Sequence, residues 1–267
     1  MSLSPELLAN ASLLIVEIGN SHVTVATYVG SSVRTWAKFS HSDLDKIAAY
    51  ARESFDALGE DTIRAVAYAS VVPDVLATVR DRLTKELDAP AFVVGEDLHR
   101  PMSLAVENPE RVGIDRVCSA AAAYEVIGKA CAVASIGTAI TIDCVNEEGV
   151  FMGGSILPGL ALQAQSLHDG TAALPLVTIE ATGEVYGANT EQAIRNGVLY
   201  GAVGALREIV ERYATELHEW PQLVVTGGGA DLVRSQCDFI DNVVPDLCLR
   251  GIGLAFRRQF APLMDES

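Results

Sequence analysis

At 267 residues with 49% hydrophobic content, the chain is long enough for two modest domains and too apolar to stay unfolded. Its formal net charge of −16 argues against nucleic-acid and anionic-membrane partners, which recruit basic patches. No apolar run approaches the roughly 20 residues of a membrane span. With so acidic a chain, any phosphate site must draw most of its positive potential from backbone amides, helix N-termini and a bound cation.

In chain order, Met1-Ser2-Leu3 reads as an added leader, without the basic stretch and continuous apolar run of a secretory signal. The β-branched run Leu13 to Ile18 predicts a buried strand with Glu17 near its end. Gly19-Asn20-Ser21 is a turn, and Val23 to Tyr28 leads back out as a second strand. A glycine at the tip lets backbone N–H groups approach an anion, and the carboxylate before it can hold a metal ion or its water shell. Taken alone, the same residues make an ordinary polar hairpin. Ser32 to Phe39 predicts a third strand, the segment from Ser42-Asp43 to Leu58 an amphipathic helix, and Ile63 to Ser70 a strand. A helix from Pro73 to Leu87 and a short strand over Ala91 to Val94 follow. This order points to a mixed sheet with helices on its faces.

A polar connection from Gly95 to Arg111 leads through Val112-Gly113-Ile114-Asp115-Arg116 into an alanine-rich helix. Asp115 falls in the first turn, where the macrodipole favours its ionised form and a cap alone would account for it. The second half then repeats the opening. Ala132 to Asp143 is strand, Gly137-Thr138-Ala139 turn, strand, and Val150 to Ile156 is a further strand. Such duplication is more informative than either copy and points to a pair of phosphate-facing loops. Pro158-Gly159 precedes a helix over Leu160 to Leu167, and Thr190 caps a long helix running to His218, whose Gly197, Gly201 and Gly204 allow close packing between helices or subunits. The strand Leu223 to Thr226 enters the turn Gly227-Gly228-Gly229, whose bare backbone can lie against a nucleotide base or ribose without meeting the GxGxxG pattern. Leu247 to Phe260 is a final helix with Arg250, Arg257 and Arg258 as solvated charges. Five cysteines without a CxxC pair read as reduced, mostly buried thiols in a cytoplasmic protein, and no zinc-ligand spacing is present.

Read together, the hairpin at 17–21, Asn108-Pro109 with Gly113 to Arg116, and Gly137-Thr138 with Thr141 and Asp143 form an ordered set. Gly153-Gly154 with Pro158-Gly159, Thr171-Ala172 with Leu174-Pro175, Gly187 with Asn189-Thr190, and Thr226-Gly227-Gly228 complete it. In this order and spacing the motifs resemble type III pantothenate kinases, of the actin-like (acetate kinase/Hsp70-type) fold, from about Leu13 to Arg257. The resemblance implies an α/β architecture of two RNase H-like lobes with mixed sheets and a nucleotide cleft between them. The lobes are expected at 1–125 and 126–267, with the final helix, about 250–264, able to pack on the first. The implied reaction is phosphorylation of pantothenate by ATP to 4′-phosphopantothenate, the first step towards coenzyme A, by a homodimer using Mg²⁺ and a monovalent cation (K⁺ or NH₄⁺).

By the same resemblance Asp115 matches the general base, and Gly113, Ile114, Arg116 and Thr190 match substrate contacts. Glu17, Ile18, Gly19, Asn20, Ser21, His22, Val23 and Thr24 match the first phosphate loop, and Thr138 a second ATP contact. Glu17 would hold Mg²⁺, and Ser135 occupies the position associated with the monovalent cation. On the helix-start argument Asp115 is a weak base of depressed pKa, tolerable where proton transfer is late. The chain departs from the family at four places. Glu17 and Ser135 stand where the two loops normally open with aspartate, Val106 where a tyrosine is expected, and Gly170 where an arginine is expected. Asp143 is a candidate compensating carboxylate. These departures keep two other readings open: a catalytically impaired, nucleotide- or ligand-binding regulatory dimer, and a kinase for a related small alcohol. Some relatives are described as accessory factors of transcription, but the acidic charge argues against direct DNA contact.

Overall fold

The computed structural model describes residues 11–59 and 63–260. The leader read at Met1-Ser2-Leu3 and residues 261–264 of the expected final helix lie outside the described residues. The described residues fall into two compact units. The first draws on residues within 1–103, 107–122 and 246–267, and the second on residues 104–106 and 123–245.

In the first unit the strands are β1 (Ser12–Ile18), β2 (His22–Val29), β3 (Ser32–Ser40), β4 (Arg64–Ser70) and β5 (Ala91–Val93). They form one sheet in the order β3-β2-β1-β4-β5. β1 runs antiparallel to β2 and parallel to β4, so the sheet is mixed. The helices α1 (Leu44–Asp56) and α2 (Pro73–Glu86) cover one face. Leu14, Val16, Ile18, Val23 and Val25 point into that layer against Ile47, Ala51, Phe55, Val79 and Leu83. Full burial of each such side chain is worth about 1.5–3 kcal/mol. The alternation that fills this face turns Leu13, Ile15 and Glu17 to the other, where α7 (Leu247–Phe260) packs; α3 (Ile114–Ile127, which continues into the second unit) lies against α7, a Cβ at Gly251 falling 2.0 Å from the Cys118 carbonyl oxygen.

The second unit repeats the plan. Its strands β6 (Cys131–Ile136), β7 (Ala139–Val145), β8 (Phe151–Pro158), β9 (Gln222–Thr226) and β10 (Asn242–Val243) lie in the order β8-β7-β6-β9-β10. Here too the first two strands are antiparallel and the first and fourth parallel. α4 (Leu160–Gly170) and α5 (Thr190–Leu217) cover one face, burying Leu160, Ile194, Val198, Leu206 and Val210 against Ala132, Ala134, Ile136, Ile140 and Ile142. A short α6 (Ala230–Arg234) follows β9. The duplicated strand order agrees with the RNase H-like lobes that the resemblance implies.

Several local expectations are corrected. Asn189, not Thr190, caps α5: its Oδ1 accepts the Gln192 N–H at 2.9 Å, and Gln192 Oε1 accepts the Ala188 N–H at 2.9 Å. That reciprocal pair satisfies donors a lone threonine would leave open. Of the packing between helices or subunits expected at Gly197, Gly201 and Gly204, none with another helix is seen among the described residues, where a Cβ at each would meet nothing within 4 Å. The arginines of α7 are not uniformly solvated either. Arg250 pairs with Asp246 at 2.9 Å, Arg257 lies over the Tyr28 ring with its Nε buried, and Arg258 donates to the Pro101 carbonyl.

Candidate functional site

Glu17 marks the centre of the first-unit site. Register sets Glu17 opposite Thr24 and Thr24 opposite Lys38, so a carboxylate, a hydroxyl and an ammonium share one cross-strand row. Thr24 and, from α7, Cys248 stand close enough to the carboxylate to favour its charged form. Burial pushes the Glu17 pKa up and the neighbouring Asp115 charge adds to this, while Thr24, Lys38 and Cys248 oppose it. The turn that follows is closed by its own backbone. The Gly19 N–H donates to the His22 carbonyl at 3.0 Å, and His41 Nε2 donates to the Gly19 carbonyl at 2.9 Å. The Gly19 amide expected to meet a phosphate is therefore engaged within the turn. Asn20, Ser21 and His22 form the exposed tip, while Ile18, Val23 and Thr24 are buried behind it.

Asp115 is the second residue of α3, and its Oδ1 accepts the Arg116 backbone N–H at 2.9 Å. A Cβ at Gly113 would lie 2.6 Å from that oxygen, so glycine there makes room for the carboxylate. The segment before it is held by Arg100, whose guanidinium donates to the Val112 and Glu110 carbonyls at 3.2 Å each. Ile114 is buried. Burial raises the pKa of Asp115, against the opposing Arg116 N–H and guanidinium. This reverses the depressed pKa expected from the helix start, because loss of water outweighs the terminal dipole. Glu17, Thr24 and Asp115 are thus brought together as read from the sequence. Lys38, His41 and Cys248 join them without having been singled out. Their signal lies in strand register and in the return of α7, which no local pattern carries.

In the second unit, bare backbone converges on the turn at Gly137-Thr138. The Gly159 N–H donates to the Thr138 carbonyl at 3.0 Å, and a Cβ at Gly159 would lie 2.2 Å from the Gly137 carbonyl oxygen. Gly227 has φ +92°, and a Cβ there would meet the Ile136 carbonyl at 2.6 Å, while the Gly229 N–H donates to the same carbonyl at 2.9 Å. Thr138, Gly227 and Gly228 therefore gather at one end of this sheet. Thr190 begins α5, exposed and outside the cap. Val106 packs by Gly153, and Gly170 ends α4 with open space around it.

Ser135 occupies in β6 the place Glu17 occupies in β1, two residues before the turn glycine. Its register partners are Thr141 and Thr226, so three neutral hydroxyls lie side by side. Thr141 Oγ1 is buried without a partner, and Asp143, 1% exposed, stands one step along the same face. This row offers a monovalent cation hydroxyl oxygens but no charge, which does not fit the aspartate-based site the resemblance implies. A magnesium ion keeps most of its shell as water and phosphate oxygens and needs one or two protein carboxylates. Glu17, beside the turn, fits that demand. Among the described residues no group of three or more His, Cys, Asp or Glu is placed to hold a metal, and no helix is long and apolar enough to cross a membrane.

Comparison with known proteins agrees with the duplicated fold. A family model for type III pantothenate kinase matches residues 13–212. The chain is 32% identical over 250 residues to a type III pantothenate kinase of Dehalococcoides mccartyi, covering 92% of this chain and 97% of the relative. It is 30% identical over 251 residues to one of Moorella thermoacetica, covering 92% and 99%. A solved structure of a Baf family protein from Campylobacter jejuni superposes with a TM-score of 0.62 at 18% identity, covering 92% of this chain and 98% of that one. The chain belongs to the type III pantothenate kinase family.

Proposed function

We propose that the protein phosphorylates pantothenate with ATP and Mg²⁺, giving 4′-phosphopantothenate and ADP. The observation that carries this reading is the Asp115 carboxylate, set at the start of α3 in the space Gly113 leaves and in the same unit as Glu17. Phosphoryl transfer asks the protein for positioning and charge neutralisation more than covalent chemistry. In the proposed reaction the pantothenate hydroxyl lies against Asp115, which takes its proton as the oxygen attacks the γ-phosphorus and the bond to ADP breaks. A base with a raised pKa holds that proton better than an ordinary aspartate. Gly113, Ile114, Arg116 and Thr190 are assigned to pantothenate. The tip at Asn20 and Ser21, with Thr138, is assigned to the phosphates, and Gly227 and Gly228 to the nucleoside. Bound Mg²⁺ supplies positive charge to the phosphate oxygens, with Glu17 as its carboxylate. We further assign a homodimer in the cytoplasm, with the open glycine stripe of α5 as a surface for the second copy.

The test is direct. Purified protein with Mg·ATP and pantothenate, assayed with and without K⁺ or NH₄⁺, should form phosphopantothenate, and Asp115→Asn should abolish it. Absence of turnover by the parent protein would remove the kinase assignment. The neutral row at Ser135 favours a second reading, a nucleotide-binding regulatory dimer, which predicts calorimetric ATP binding without turnover.

A further inference from the structure

Gly19 is gripped on both sides, and the two grips have different sources. Its N–H donates to the His22 carbonyl at 3.0 Å within the turn. Its carbonyl accepts from His41 Nε2 at 2.9 Å, twenty-two residues further along the chain. A carbonyl can only accept, so Nε2 carries a proton and donates it. A corner of the fold places His41 for this. β3 ends at Ser40, whose register partner is His22. The Ser40 carbonyl accepts the Asp43 N–H at 3.0 Å, and the Asp43 carbonyl accepts the Ile47 N–H at 2.9 Å as α1 begins. From this corner the half-buried ring reaches back to the tip of the β1–β2 hairpin.

That one bond orients a whole peptide unit. The described residues contain no cis peptide bond, and in a planar trans unit the C=O and the N–H point in opposite directions. Holding the Gly19 C=O against His41 therefore aims the Asn20 N–H away from the ring. Among the described residues no hydrogen bond takes that N–H, and Asn20 is exposed. The plane turns on ψ of residue 19 and φ of residue 20, and glycine, lacking a Cβ, restrains the first very little.

We propose that His41 is a positioning residue for nucleotide binding, locking the peptide between Gly19 and Asn20 so that the Asn20 N–H faces a phosphate oxygen. The assignment rests on the reading of the hairpin tip as a phosphate site given above. A net hydrogen bond weights an equilibrium by roughly threefold to tenfold. Without His41 the plane also populates the reverse orientation, which offers a phosphate the Gly19 carbonyl in place of an amide. Apparent affinity then falls with the competent fraction.

Two measurements on the full chain test this. In calorimetric titration with Mg·ATP, His41→Phe, which keeps a ring and loses the donor, should raise the Kd roughly fivefold. His41→Gln, whose amide N–H can donate, should recover most of that loss. In steady state the KM for ATP should follow the Kd, with the KM for pantothenate within about twofold of the parent. Amide NMR reads the peptide itself. The Asn20 N–H resonance should shift in His41→Phe, return towards its parent position in His41→Gln, and move in the parent when Mg·ATP is added. Undiminished affinity in the phenylalanine variant would overturn the proposal, as would an equal loss in both variants, because the donor would then not be what matters. An Asn20 resonance indifferent to His41 or to Mg·ATP overturns it as well. A parent protein that binds Mg·ATP without phosphorylating pantothenate would remove the functional reading alone, and the Kd comparison would still decide the role of His41.

Discussion

Asp115 sits between two opposing influences. Burial disfavours its charge, and the Arg116 N–H and guanidinium favour it. Burial wins, so the folded protein holds this proton more tightly than the unfolded chain does. A base must be ionised to act, so activity should fall on the acid side at a higher pH than an ordinary aspartate would give. Because Glu17 and Asp115 interact, that limb belongs to the pair. Replacing Arg116 by Gln removes an opposing charge and should push the limb higher still, which a pH profile of kcat checks. The same shift sets a stability trend. Between the unfolded and the raised folded pKa the native state binds more protons, so this contribution is favourable at low pH and is lost as pH rises. Asp115→Asn should therefore raise Tm by a few degrees at pH 7, with the gain vanishing towards acid. A lower melting temperature at pH 7 would show that the carboxylate is stabilised by its surroundings after all.

The elements that build the sites do so by close backbone contact. Gly159 has φ −63°, compatible with any residue, so its need for glycine comes only from the carbonyls of Gly137 and Thr138 at 2.2 and 2.4 Å from a Cβ. Neither is the end of a flexible side chain, so an added methyl must move α4 or the turn. Gly159→Ala should cost about 1–3 kcal/mol in stability, the usual range for overpacking. It should also weaken ATP binding roughly tenfold if the turn shifts by a fraction of an ångström. Calorimetric titration with ATP reads the effect, and undiminished affinity would mean that Thr138 does not touch the nucleotide. The glycines at 137, 159 and 227 were visible in the sequence as turn signals. That three segments meet at one turn was not, because contact between segments some twenty and ninety residues apart is a property of the folded sheet.

At the level of the whole molecule, the duplicated hairpin was legible because both copies carry the same local grammar: a β-branched run, a glycine turn and a second run. The roles given to Glu17 and Asp115 came from the resemblance, but Glu17 was legible as the carboxylate near the end of the first run and Asp115 as a helix-start aspartate. Lys38 was not, since its place beside Thr24 depends on the β2–β3 register, nor was Cys248, which reaches Glu17 from more than two hundred residues away. The direction of the Asp115 shift was misjudged because a helix start is a local feature whereas desolvation depends on what packs above it. Net charge acts over longer distances than any of these. With a formal charge of −16, the protein as a whole repels MgATP, which is also negative, and binding rests on local backbone and side-chain positive potential. Raising ionic strength from about 0.01 M to about 0.15 M shortens the screening length from about 30 Å to about 8 Å, which removes long-range repulsion while leaving contacts within the site less affected. The Kd for MgATP should tighten over this range, by roughly twofold or more, when choline chloride is used so that no potassium or ammonium is added. A Kd that weakens with salt would instead place the dominant interaction in surface cations such as Lys38, and charge reversal at Lys38 would then abolish the salt dependence.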